Sequence, residues 1–313
     1  MLDKRSRYFV RHRLILRPKR NQGAPLPLTG DAKTMSAFSV LKKRVDAKTA
    51  SIIITGGDTL RITAIEHRKA DDMVVLVFRR RNPNAATQIY ENKKSEALRE
   101  ADRTVDEDPA ASTHLFISTK VHPGAVASYR AIMEDVPEIG TSYMKLLLDE
   151  IIKGQEYDYK DSRNVDGKTS TKVDLFGVPS DTLKQAVTKN GFGFIELVKS
   201  PDLKGLDTEG LTPKPEKFRI YTKRGSGVGG NTLFERVFTW AKAHGWDDVS
   251  VQVRENGKTK VVKVGREADA ATTLFVRADI VKVASDIPSC SATINNELVA
   301  EAKKMFADDA SWK

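Results

Sequence analysis

SIIITGGDTLRITAIEHRKADDMVVLVFRRR, residues 51–81, is the stretch whose reading settles the fold class. Three runs rich in β-forming side chains, 51–55, 60–67 and 73–81, are separated by Gly56-Gly57-Asp58 and by Lys69-Ala70-Asp71-Asp72, both turn sequences. The pattern predicts an antiparallel meander. Residues 73–78 are also the longest uninterrupted apolar run in the chain, far too short to span a bilayer. Upstream, Ser36 is placed to cap a short helix with Phe38, Leu41 and Val45 inward and Lys42, Lys43 and Arg44 outward. Residues 8–16 hold enough β-formers for a strand ended by Pro18, and 21–33, with Pro25 and Pro27, read as a loop. Downstream, 89–105 is polar and predicts a helix, 102–108 is an acidic patch, and HLFIST at 114–119 is another strand. Two apolar helices are expected over 125–133 and 140–153. The second carries Tyr143, Leu146, Leu147, Ile151 and Ile152 as a broad stripe.

Residues 154–172 contain almost no aliphatic side chains and predict a boundary. The expected organisation is α+β, antiparallel sheets with packed helices in two domains: 1–154, a linker over 155–172, and 173–313. In the second half, strands are expected at 169–176, 192–199, 249–254, 259–264 and 271–284, with helices over 180–190 and 295–307. Asn256-Gly257 between two alternating runs is the strongest hairpin signal in the chain. LTPKPEKFRIYTKRGSGVGGNTLFERVFTWAKAHG, residues 211–245, joins a basic strand, a glycine-rich loop and an amphipathic helix. Phe218, Ile220 and Thr222 alternate with Arg219, Tyr221 and Lys223, the period of a half-buried strand. Thr232 with Glu235 makes a capping box, and Leu233, Phe234, Val237, Phe238 and Ala241 supply the helix's apolar face.

A net charge of +10 in 313 residues makes polyanions the first partners to consider. The charge is polarised: the first twenty residues hold eight Lys or Arg against one acid, and 214–263 hold eleven against five. No zinc finger, RNA-recognition motif or helix-turn-helix pattern is present, which points to backbone contact over base reading. The candidate contacts are Arg11, Arg13, Lys42, Lys43, Arg79, Arg80 and Arg81 in the first half. In the second they are Lys214, Lys217, Arg219, Lys223, Arg224, Gly229, Gly230, Lys258, Lys260 and Lys263. Arg79, Arg80 and Arg81 have a second reading, as charge that blunts a sheet edge. The amides of Gly229 and Gly230 at a helix start, beside Lys223 and Arg224, form a natural phosphate site.

Catalytic chemistry finds less support. GSGVGGNT at 225–232 has the glycine spacing of a nucleotide-binding loop, but Asn231 stands where that motif requires lysine. The five histidines show no paired metal-ligand spacing. Glu196-Leu197-Val198-Lys199 is one residue too long for the acid-x-lysine pattern of metal-dependent nucleases. Arg7-x4-His12 matches a ribonuclease motif that sits on helices, here on an expected strand. One cysteine, Cys290, excludes an internal disulfide and reads as a small buried residue. No cofactor and no metal site are expected, and the lack of an apolar signal core makes a cytoplasmic location the expectation.

The order of elements resembles a family. A short helix, the meander, a charged connector, HLFIST and apolar helices are followed by TSTKVDLFGV, the PKPEKFR run at 213–219, the helix LFERVFTWAKAHG and a hairpin. This resembles the RexA-like phage exclusion proteins and the related KwaB-type DNA-binding subunits of anti-phage systems. The resemblance implies a cytoplasmic homodimer that binds double-stranded DNA without strong sequence preference and acts as a sensor or regulator in abortive infection and antiviral defence. It also implies signalling to a second defence protein, a membrane effector, with no membrane insertion of this chain. It transfers no catalytic residue, and the glycine loop at 225–230 departs from the pattern. Two alternatives stay open: a metal-dependent nuclease, and a protein-interaction scaffold whose basic faces meet an acidic partner.

Overall fold

The computed structural model describes residues 3–19, 23–31, 34–54, 56–122, 127–160, 166–182, 192–199, 216–221, 230–244, 246, 248–255, 258–264 and 274–312. In chain order these form β1 (Ser6–Pro18), α1 (Ala37–Asp46), β2 (Ser51–Ile53), β3 (Thr59–Arg68), β4 (Met73–Arg81), β5 (Ile89–Glu91), β6 (Leu98–Glu100), β7 (Ala110–Val121), β8 (Ser128–Asp135), α2 (Thr141–Lys153), β9 (Glu156–Lys160), β10 (Asp166–Gly177), β11 (Pro179–Thr182), β12 (Phe192–Lys199), β13 (Glu216–Tyr221), α3 (Gly230–Ala243), β14 (Asp248–Glu255), β15 (Lys258–Val264), β16 (Leu274–Val276), β17 (Ala278–Lys282) and α4 (Asn296–Ala307). Every strand pairing among the described residues is antiparallel. The chain therefore combines antiparallel sheets with packed helices. Among the described residues no helix is long and apolar enough to cross a membrane.

Contacts divide the chain into two compact units, Met1–Val178 with Ala278–Lys313, and Pro179–Arg277. In the first, the expected meander is present and extends into a sheet of order β2-β3-β4-β7-β8-β1-β10-β9. β1 lies well inside that order. One edge of it pairs with β8; the other pairs with β17 through residues 6–10 and with β10 through 12–18.

The apolar run of β4 is continuous because both faces of the sheet are covered. Val74, Leu76 and Phe78 enter a core with Leu41 of α1 and Leu147, Leu148 and Ile151 of α2. Met73, Val75 and Val77 enter a second core with Leu298, Val299 and Ala302 of α4 and with Trp312. Fully burying one such Val or Leu contributes about 1.5–3 kcal/mol, so both helical layers are well anchored. Ser36 caps α1 as expected, its side chain accepting from the Ser39 amide while Ser39 returns the bond in a capping box. Asn295 caps α4, accepting from the amides of Glu297 and Leu298.

Four expectations are corrected. Residues 128–135 are a strand, not part of a helix: Tyr129, Ala131 and Met133 of β8 face one core and Ile132 the other. Burial on both faces erases the polar alternation by which a strand is recognised. The polar segment 89–105 contains the β5–β6 hairpin, with no helix. There the Asn92 side chain accepts from the Lys94 and Ser95 amides, and such local bonds compete with the helical ladder. Residues 179–182 form β11 against β16, so Ser180 does not cap a helix; 183–190 lie outside the described residues. The run 271–284 yields two short strands, one in each unit.

The division between units also falls away from 155–172. β9 and β10 extend the first unit's sheet, and β17 and α4 return to it from the far end of the chain. The polar composition of β9 fits its place at the end of the sheet among the described residues.

The second unit holds a four-stranded sheet of order β13-β12-β14-β15. β14 and β15 pair antiparallel as expected, with Glu255 opposite Lys258, while Asn256 and Gly257 lie outside the described residues. Phe238 and Ala241 of α3 pack against Ile195, Leu197, Val249, Val251 and Val253, so the helix seals one face of this sheet.

Candidate nucleic-acid interface

In the first unit most cations of β1 and of the residues just before it are paired with acids of the same unit. Of the basic residues in β1 and just before it, Lys4 and Arg5 pair with Asp286, Arg7 with Glu134, Arg11 with Asp279 and Arg17 with Asp174. These acids arrive on β8, β10, β17 and the segment after it, because β1 lies between those strands. Arg11 is only 4% exposed and lies over the Trp312 ring, and Arg13 donates to the Trp312 carbonyl. The Arg7–Glu134 pair is fully enclosed, and His114 joins it through Nδ1 to Glu134 Oε2 at 2.7 Å. The Asn295 amide donates to His114 Nε2, so the ring hydrogen is on Nδ1 and His114 ties α4 to the buried carboxylate. This also disposes of Arg7-x4-His12 as a catalytic pair. His12 is buried, its Nδ1 bonded to the Val10 carbonyl and its Nε2 to Thr141 Oγ1.

The arginine triplet on β4 behaves in the same way. Arg79 donates to the Ser291 carbonyl, Arg80 pairs with Asp58 and bonds the Glu138 carbonyl, and Arg81 pairs with Asp108 at 3.4 Å. β4 lies between β3 and β7, so the triplet blunts no edge either. Lys42 pairs with Asp46 one turn along α1. Lys43 is exposed in the last turn, where a cation complements the helix terminus. The basic surface expected of the first half is therefore not assembled as a row.

A cleft of about 420 Å³ in this unit is lined by charged residues but crossed by three ion pairs, Lys120–Asp72, Lys303–Asp71 and Arg130–Asp309. In its lining, burial first and then Arg13 and Arg130 push the His122 imidazole below its ordinary value.

The second unit is different. It carries 17 Lys or Arg against 12 Asp or Glu in 99 residues, half of the whole net charge in under a third of the chain. Register places Phe194 and Glu196 of β12 with Tyr221 and Arg219 of β13 and Gln252 and Ser250 of β14 on the sheet face away from α3. Phe194 stands opposite Tyr221 and Gln252, and Glu196 opposite Arg219 and Ser250. Their sequence neighbours Ile195 and Leu197 point into the core under α3. On that open face Arg219 Nε donates to Glu196 Oε2 at 2.5 Å, with Lys217 Nζ 3.9 Å from Glu196 Oε1. The Arg219 guanidinium lies 4.7 Å over the Phe194 ring, whose centroid is 5.9 Å from that of Tyr221. The Glu196 carboxylate, then the Tyr221 hydroxyl, hold Arg219 still more firmly in its charged form.

No family model, curated protein or solved structure matches this chain. The surface is therefore read from its own chemistry. Of the expected contacts, the structure brings Lys217 and Arg219 together. Lys258, Lys260 and Lys263 lie on β15; Lys263 is the register partner of Ser250, on the face of Glu196, whereas Lys260 is the partner of Val253, a residue of the core under α3, so the three are not brought together, and Gly230 is the first residue of α3. Lys214, Lys223, Arg224 and Gly229 lie outside the described residues. Phe194, Glu196 and Gln252 were not legible as site residues, because only the strand order brings them alongside Tyr221 and Arg219. Among the described residues no three His, Cys, Asp or Glu stand together as a metal site.

Proposed function

We propose that this chain binds nucleic acid largely without sequence preference, through the open face of the β13-β12-β14-β15 sheet, and does no chemistry on it. One observation carries the reading: Lys217, Arg219 and Tyr221 project from one exposed strand on the face opposite α3. Cations on an edge strand reach phosphates without any rearrangement of the core, and phosphate contact supplies most sequence-independent affinity. The nuclease alternative gains no observation of its own, since Glu196 is tied to Arg219 and Lys217 and not left open to a metal. A homodimer acting on double-stranded DNA in phage exclusion enters this proposal through the RexA-like resemblance alone.

A gel-shift series over rising salt tests the reading. Retention at low salt should fall steeply, with a log–log slope of about −0.9 per phosphate on a duplex and about −0.7 on a single strand. Lys217→Glu with Arg219→Glu should weaken binding to all sequences alike. Absence of any retention at low salt would end the proposal.

A further inference from the structure

We infer that the occupant of the open sheet face is an unpaired stretch of nucleic acid, its bases stacked on Phe194 and Tyr221 while Arg219 exchanges Glu196 for a phosphate. The inference rests on the nucleic-acid reading above and names the form of the ligand.

Three observations lead there. The first is width. Four strands at about 4.8 Å spacing put about 14 Å between the outer backbones before side chains are added. A major groove about 12 Å wide admits a helix or a two-stranded ribbon, so a duplex cannot take this face into its groove. Bases reach a flat sheet only when they are splayed out of a helix.

The second is the aromatic pair. Tyr221 is 67% exposed although it is aromatic and lies beside Phe194 on the polar face, away from the core under α3. Rings held in this way offer a stacking platform that accepts any base, because every base has a π face.

The third is Glu196. Two cations, Arg219 and Lys217, converge on its carboxylate, as two cations converge on a phosphate. The carboxylate side chain is 14% exposed on an inner strand, whereas those of Lys217 and Arg219 are more than half exposed on the edge strand β13. The cations can swing outward; the acid stays. Glu196 thus acts as an internal competitor that sets how tightly a phosphate must bind to displace it. Arg219 leaving the Phe194 ring at the same moment uncovers the stacking surface.

The test is fluorescence anisotropy of the full chain with a dye-labelled oligo(dT) of about 16 nucleotides, within the site size of sheet-based single-strand binders, and with its duplex on oligo(dA). The single strand should bind about tenfold tighter than the duplex. Tyr221→Ala should weaken the single strand about tenfold and leave the duplex unchanged, while Tyr221→Phe, which keeps the ring, should retain affinity. Glu196→Gln, nearly isosteric, should tighten the single strand several-fold. Melting curves that match the parent chain exclude misfolding as the cause of any loss. A duplex bound as well as the single strand, or a Tyr221→Ala chain that binds unchanged, overturns the inference and leaves the nucleic-acid reading standing. No gain in Glu196→Gln overturns the competitor role. Binding of neither probe at low salt removes both readings.

Discussion

Arg11 and Arg219 are both arginines on β-strands beside a carboxylate, and the two regions use them in opposite ways. In the first unit Arg11 is buried and its partner Asp279 is half exposed; in the second Arg219 is half exposed and Glu196 is the enclosed member. The difference follows from place in the sheet. β1 has neighbours along both edges, and its cations pair with acids on the strands around it, whereas among the described residues β13 ends its sheet, with Lys217, Arg219 and Tyr221 exposed. Charge counted along a sequence is therefore not charge on a surface: in β1 and just before it five cations are paired with four acids, Arg17 among them with its side chain half exposed as that of Arg219 is, whereas Lys217 and Arg219 share the single carboxylate of Glu196.

The comparison breaks most readily at Glu134. Glu134→Ala leaves Arg7 charged and enclosed, and losing one member of a buried pair costs about 3–5 kcal/mol, to be read from the urea midpoint. Nucleic-acid affinity per folded molecule should not change. If Glu134→Ala lowers affinity without lowering stability, the first unit's charges are part of the interface after all.

Acid should loosen the first unit. Burial holds His12 below its ordinary value, against the raising effect of the Val10 carbonyl. The unfolded chain then takes up this proton first, so the stabilisation is complete above about pH 6.5 and declines as pH falls through the folded value. For Asp174, burial pushes upward, but the hydrogen bonds from Lys145 and Arg17 outweigh it and the carboxyl titrates below its ordinary value. Its contribution is present above about pH 4 and is lost as pH falls further. Denaturation midpoints measured at successive pH values should decline in that order. A His12→Asn chain that keeps the upper step would assign that step to another group.

The smallest expected effect is at Lys42. Lys42→Ala removes an exposed pair one helical turn apart, worth about 0.3–0.5 kcal/mol, and should leave binding unaltered. A measurable loss of affinity would return α1 to the interface.

Much of the fold was legible. The meander, HLFIST, the helix over 140–153, the pairing of β14 with β15 and the Ser36 cap all rest on local chemistry, and each stands where the residues place it. What local chemistry could not show was cover on both faces of the large sheet, which made β8 resemble a helix. Nor could it show the return of β17 and α4 to the first unit, because no residue near 278 signals a partner on β1. The site was half legible. Alternation identified Tyr221 and Arg219 as the polar side of their strand and charge singled out Lys217, but Glu196 and Phe194 are joined to them only by cross-strand register.

The central claim is that phosphates meet β13 and not β1, and the salt slope of binding tests it most directly. Lys217→Ala with Arg219→Ala should make the log–log slope shallower by about 1.4 on a single strand, two contacts at about 0.7 each, with stability altered by less than about 0.5 kcal/mol. A slope identical to that of the parent chain would contradict the account.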